Sequence, residues 1–226
     1  MSLRQIVERQ QSLNLRPGLT DEELREFSSA LPGPLSIDLE NLLRFASGFQ
    51  TKALGIVDFT GRSHPTDFKE FVPYGFAVAK TIEGNFWLVD IQQDGTWGHV
   101  FYISHDPPIF LLHFNSFVDF LESAIREDRI IKEAASVITQ DHIRGVLAAE
   151  ARNHSDAKMT QFAHTLSDNF RIYDLRNLQS PQGFEWGHSG AWTQCKRFHL
   201  DLIFAVETFE PRKGFLCGGR SINPTC

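Results

Sequence analysis

The sequence predicts an α+β protein: a mostly antiparallel sheet packed with helices, followed by a C-terminal α+β extension. Three observations carry that expectation. Apolar residues recur at helical spacing up to Gly48 and again from Ser116 to Ile125. Between those stretches the period shortens to strand-like runs separated by turn residues. Helices, then a run of strands, then a closing helix describe segregated elements and not alternating βαβ units. The 226 residues are long for one ordinary domain. The expected division is a main domain over 1–130 and an extension or small module over 131–226.

Leu3, Ile6, Val7 and Leu13 predict an amphipathic opening helix, closed by Pro17-Gly18. The next helix has a legible start. Thr20 is placed to cap it and Glu23 to complete a capping box, while Leu19 and Leu24 are spaced as a hydrophobic staple. Leu24, Phe27 and Leu31 form its buried face, and Pro32 ends it. Ser36 caps a third helix with Leu39, Leu42, Leu43 and Ala46 on one face, and Gly48 is expected as its left-handed stop.

Strands are then expected at Leu54–Phe59, Phe76–Ala79, Asn85–Ile91 and His99–Ser104, with Gln93-Asp94-Gly95 as turn chemistry between the last two. Phe86-Trp87-Leu88-Val89 is apolar at every position, which predicts a central strand covered on both faces. Pro107-Pro108 interrupts before a short strand at Ile109–Phe114. From Ser116 the helical period returns with Phe117, Phe120, Leu121, Ala124 and Ile125.

Beyond Arg126 the composition shifts. Asp128–Val137 is mixed, Ile143, Val146 and Leu147 mark a helical stripe, and Asn153–Asp156 is a break before Met159, Phe162 and Leu166. Phe170–Leu175 and Arg197–Phe209 look like strands, separated by Gly-containing sequence around Trp186–Trp192. No internal repeat relates this tail to the main domain.

Composition is that of a globular protein, at 42% hydrophobic and 22% charged, with 20 Phe to fill a core. A formal charge of −6 and a pI near 5.8 argue against direct nucleic-acid binding and are compatible with a basic protein partner. Cys195, Cys217 and Cys226 are too few and too unpaired for a disulfide framework. Met1–Arg16 carries charge throughout and lacks a signal peptide's apolar stretch, and no run reaches the ~18 apolar residues of a membrane span. A cytoplasmic location is the resulting expectation.

The segment Leu31-Pro32 through Asp38-Leu39-x-x-Leu42-Leu43-x-Phe45-x-Ser47-Gly48 resembles the opening signature of the SUKH superfamily, the Smi/Knr-type domain. The later tract is similar to it as well: Gly84-Asn85-Phe86-Trp87-Leu88-Val89-Asp90, Gly98-x-Val100-Phe101-Tyr102, His105-Asp106, then Ser116-Phe117-x-x-Phe120-Leu121. The resemblance covers about residues 15–126. Ser47 departs from the Asn or Asp usual before the glycine, and the extension has no counterpart in the family. The resemblance implies a SUKH-like sheet and a binding role without catalytic residues. Bacterial members are thought of as immunity proteins that neutralise nuclease or other polymorphic toxins by contact, and fungal members as regulatory scaffolds of cell-wall synthesis.

Four residues stand out as partner-binding candidates: Asp90, Trp97, His105 and Asp106. Asp90, in an otherwise apolar strand, either lines a groove or terminates a sheet face. Trp97, in a Gly-flanked turn, is either an exposed anchor or a side chain folded back over the sheet. His105-Asp106 is the most enzyme-like pair, yet adjacent residues at a strand end point apart, and Asp106 before Pro107 equally reads as a turn cap. His64, His99, His105 and His113 lack metal-ligand spacing, so no metal or cofactor is expected. No nucleotide-binding glycine loop or Gly-x-Ser-x-Gly elbow is present, and Cys195 and Cys217 carry no nucleophile signature. Gly214–Gly219 reads as a flexible tail.

The leading expectation is therefore a protein-binding immunity protein and not an enzyme, with no catalytic residues. A regulatory scaffold acting through its tail is the second expectation. A hydrolase using His105 and Asp106, with His188 or His199, is the third.

Overall fold

The computed structural model describes residues 1–65, 68–126, 130, 142–178, 180–187 and 193–208. In chain order its elements are α1 (Leu3–Glu8), β1 (Asn14–Pro17), α2 (Asp21–Ser29), α3 (Ile37–Phe45), β2 (Ala46–Thr51), β3 (Gly55–Asp58), β4 (Phe76–Lys80), β5 (Phe86–Ile91), β6 (Trp97–His105), β7 (Pro108–Phe114) and α4 (Phe117–Ile125). The extension adds β8 (Val146–Leu147), α5 (Ala148–Ala151), α6 (Ala157–His164), β9 (Phe170–Asp174), β10 (Gln182–Glu185), β11 (Cys195–Arg197) and β12 (Ile203–Glu207). The α+β class is as the sequence predicts.

The helix starts follow from local chemistry. Thr20 Oγ1 accepts from the Glu23 amide at 3.2 Å, and the Glu23 carboxylate accepts from the Thr20 amide at 2.8 Å, a complete capping box. Ser36 and Ser116 cap α3 and α4 in the same way, through the amides of Leu39 and Asp119. Asp156 caps α6 at the Met159 amide.

Strands β1 to β7 pair antiparallel in sequence order, and β10 joins the far edge beside β7, giving an eight-stranded sheet. A second antiparallel sheet has the order β11-β12-β9-β8. Side chains alternate across β5. Trp87, Val89 and Ile91 face a core shared with α1, α2, α3 and α4, while Leu88 faces one shared with the second sheet. That second core joins Leu88, Phe101, Ile103, Phe110 and Leu112 to Leu175, Phe184, Phe204 and Val206. The outer face of the small sheet is covered by α5 and α6 through Ala148, Met159 and Phe162. The layers therefore run helices, large sheet, small sheet, helices, with β5 covered on both faces as expected.

The change in composition near residue 130 crosses no gap in packing, because β10 belongs to the main sheet and the inter-sheet core draws on both segments.

Several elements differ from the sequence reading. The opening helix stops at Glu8, and Asn14–Pro17 becomes strand β1, paired to β2. Gly48 is no helix stop: α3 ends at Phe45, Ala46 is already extended, and Gly48 lies inside β2 opposite Asp58. Its φ of 156° and the Val57 carbonyl, which would sit 2.1 Å from an added Cβ, explain the glycine. Val146–Leu147 is a short strand ahead of a one-turn helix. The strand expected over Arg197–Phe209 is a hairpin, β11 to β12, turned at His199, whose φ is 52°. The mixed stretch Asp128–Val137, apart from buried Ile130, and the glycine-rich tail lie outside the described residues.

Candidate functional site

The antiparallel meander brings the β4–β5 turn and the β6–β7 turn to the same end of the sheet. Asn85 joins them. Its backbone closes the first turn with Thr81, since the Thr81 amide donates to the Asn85 carbonyl at 2.8 Å and the Asn85 amide to Thr81 Oγ1 at 3.2 Å. Its side chain reaches the second turn, where Asn85 Oδ1 lies 3.0 Å from His105 Nδ1 and also accepts from the His105 amide at 3.4 Å. Asn85 is buried, so this polar group is spent holding the two turns together.

What the joined turns expose is mixed in character. Ile82, at the tip of the first turn, is 95% exposed, a large apolar side chain with no packing role. Glu83 beside it and His105, Asp106 and Pro107 on the neighbouring turn are exposed too. Beneath them Tyr102 is buried, and burial pushes its hydroxyl up to about 12, so it stays a neutral phenol.

The four sequence candidates separate into two groups. His105 and Asp106 sit on this exposed end. Among the described residues the His105 ring is engaged by Asn85 and by no carboxylate, so the pair lacks the orientation that general-base chemistry needs. Asp90 and Trp97 are elsewhere. Trp97 is only 7% exposed and packs edge-on against Phe27, Phe76 and Phe117, so it is a core side chain folded back over the sheet and not an exposed anchor. It turns inward because β6 begins at Trp97 itself, whose alternation puts it on the helix-covered face.

Asp90 is fully buried on the opposite face, and Arg197 from β11 occupies it: Nη1 to Oδ1 and Nη2 to Oδ2 are both 2.8 Å. The same guanidinium donates to the carbonyls of Phe71, Leu200 and Asp201 at 3.0, 2.7 and 2.8 Å, and Gln92 Nε2 donates to Asp90 at 2.9 Å. All five N–H donors of Arg197 are thus used. Asp90 lines no open groove; it is the buried anchor of a clasp between the sheets. Sequence reading missed Arg197 because nothing local marks it. The one signal was Asp90 itself, since a carboxylate in an apolar strand requires a cationic partner somewhere. Ile82 and Asn85 were also missed, the first because exposure of a single apolar residue is invisible in sequence.

Trp87 Nε1 donates to His113 Nδ1 at 3.0 Å, and burial holds the His113 imidazole down to about 3, hence neutral. His64 Nε2 lies 2.9 Å from the Ile56 carbonyl, so the ring donates to it. Burial holds His99 below its usual value. Cys195 is buried with its thiol pushed up, which suppresses the thiolate a nucleophile needs. Among the described residues no group of three or more His, Cys, Asp or Glu side chains is placed to hold a metal, and no helix is long and apolar enough to cross a membrane. Cys217, Cys226 and His188 lie outside the described residues. Comparison with protein-family models, with curated proteins and with solved structures found no match for the chain. The resemblance to SUKH proteins therefore stands on its motifs.

Proposed function

We propose that the chain is a protein-binding module of Smi/Knr type that acts as a bacterial immunity protein, neutralising a nuclease-type toxin by direct contact. One observation carries the reading: two turns joined through Asn85 and His105 place the exposed Ile82 at one end of the sheet, with exposed Glu83 next to it in sequence and exposed Asp106 on the neighbouring turn. An exposed apolar tip with a carboxylate on each of the two turns fits a basic protein surface, the kind a nuclease uses to attract phosphate. The net charge of −6 points the same way, by accelerating encounter with such a partner. The alternative of a hydrolase using His105 and Asp106 loses support from the Asn85 contact, which fixes the ring without a carboxylate partner.

The test is co-purification with candidate toxins encoded by neighbouring genes, followed by growth protection. A stable complex with a basic toxin, weakened at least about tenfold by Ile82→Asp or by Asp106→Lys, is the expected result. Absence of binding to every candidate, or binding indifferent to both substitutions, would sink the proposal.

A further inference from the structure

Strand β11 is an edge of the small sheet, and among the described residues no strand pairs with its outer side. The ladder with β12 passes through alternate residues. The Glu207 amide donates to the Gln194 carbonyl and the Phe198 amide to the Ile203 carbonyl, both at 2.9 Å. With the register Cys195 to Val206 and Arg197 to Phe204, the amides and carbonyls of Cys195 and Arg197 point away from β12. Among the described residues none of these four groups has a hydrogen-bond partner, although Cys195 is only 4% exposed.

This edge opens into a groove of about 550 Å³. The helix side contributes Phe162 and Phe198, and the loop from the main sheet contributes Lys69, Glu70 and Pro73. Lys196, its ammonium over the Phe170 ring, and His199 complete the rim, so two lysines and the Glu70 carboxylate line the groove on a chain of net charge −6. Arg197 adds no charge to it, being neutralised by Asp90. A short strand with a lysine is also how proteins blunt a sheet edge against aggregation. A blunted edge ends in solvent, however, whereas this one is walled on both sides and floored by apolar side chains.

We propose that the β11 groove is a second docking site, independent of the turn end, that takes an extended acidic peptide segment by strand addition. The main-chain groups of Cys195 and Arg197 would bond alternate residues of the peptide. Its side chains would then alternate between the apolar Phe162–Phe198 wall and the Lys69 wall. Its acidic residues pair with Lys69.

The full-length protein is titrated by fluorescence anisotropy with an array of fluorescein-labelled hexapeptides that alternate acidic and aliphatic residues, beside their lysine-substituted counterparts. Saturable binding of acidic members is expected. It should weaken about tenfold when alternate peptide nitrogens are methylated, which removes hydrogen bonds without altering charge. Lys69→Glu should weaken it to a similar degree, with an unchanged thermal melt as the check on folding, and Ile82→Asp should leave it untouched. Failure of every acidic peptide to bind, equal binding of methylated peptides, or equal binding of the lysine series overturns the proposal. So does concentration-dependent dimerisation of the protein alone that Lys196→Glu alters, because a second copy would then be the occupant.

Discussion

Asp90 and Arg197, 107 residues apart in the chain, meet as a bidentate ion pair with side-chain exposures of 0% and 1%. The pair joins a central strand of the main sheet to the edge strand of the extension, and through Leu200 and Asp201 it also shapes the β11–β12 turn. Removing one partner strands the other charge in a dry interface. Asp90→Ala or Arg197→Ala should each cost about 3–5 kcal/mol in denaturant unfolding. The double replacement Asp90→Leu with Arg197→Met should cost less than either, because a buried apolar pair avoids the desolvation penalty. A double mutant as unstable as the sum of the singles would show that the clasp is not a coupled pair.

The extension covers one face and one edge of the main sheet. Ending the chain at Arg126 removes β10 from the edge beside β7 and uncovers Leu88, Phe101, Ile103, Phe110 and Leu112 on one face. Such a truncation should bind a hydrophobic dye and aggregate, as expected of a bared apolar face and an open strand edge. A monodisperse, cooperatively melting fragment would contradict the two-faced packing of β5 to β7.

Two buried groups give stability an acid dependence in separate pH windows. His113 has a folded value near 3 because of burial, below its ordinary 6.5, so the unfolded chain binds the proton more readily. Its contribution is full above 6.5 and is lost as pH falls from there toward 3, by about 2 kcal/mol between pH 7 and pH 5. Asp58 behaves differently. Burial pushes its carboxyl up, but hydrogen bonds from Ser63 and Thr60 outweigh this and hold it at about 2. Its contribution is present above its ordinary 3.8 and disappears only as pH falls toward 2. Urea unfolding at pH 7 and pH 5 should therefore show a loss that His113→Phe reduces to the part contributed by His99 and that Asp58→Asn leaves in place. An unchanged slope in His113→Phe would place the acid sensitivity elsewhere.

What the sequence disclosed was local. The Thr20–Glu23 box, the Ser36 cap and the apolar run at Phe86–Val89 depend on neighbours within a few residues, and each is realised. Gly48, Trp97 and Asp90 needed information that no window contains. The fit of Gly48 is decided by the Val57 carbonyl across the ladder, the burial of Trp97 by Phe27 on α2 and Phe117 on α4, and the partner of Asp90 by a hairpin in the extension. The turn end was half legible: the turn at His105-Asp106 could be read from the sequence, while Asn85, which joins it to the neighbouring turn, looked like the start of a strand.

The turn end makes the final prediction, because its two residue types should fail in different ways. Ile82 is 95% exposed and touches no core, so Ile82→Asp should change stability by no more than about 0.5 kcal/mol. Asn85 is buried and bonded to both turns, so Asn85→Ala should cost about 1–3 kcal/mol and speed hydrogen exchange at the Thr81 and His105 amides. If the end is a contact surface, both substitutions weaken the partner complex, the first by removing the anchor and the second by loosening its mount. An Ile82→Asp protein that melts well below the parent would mean that the side chain packs, and the surface would lose its claim as an anchor.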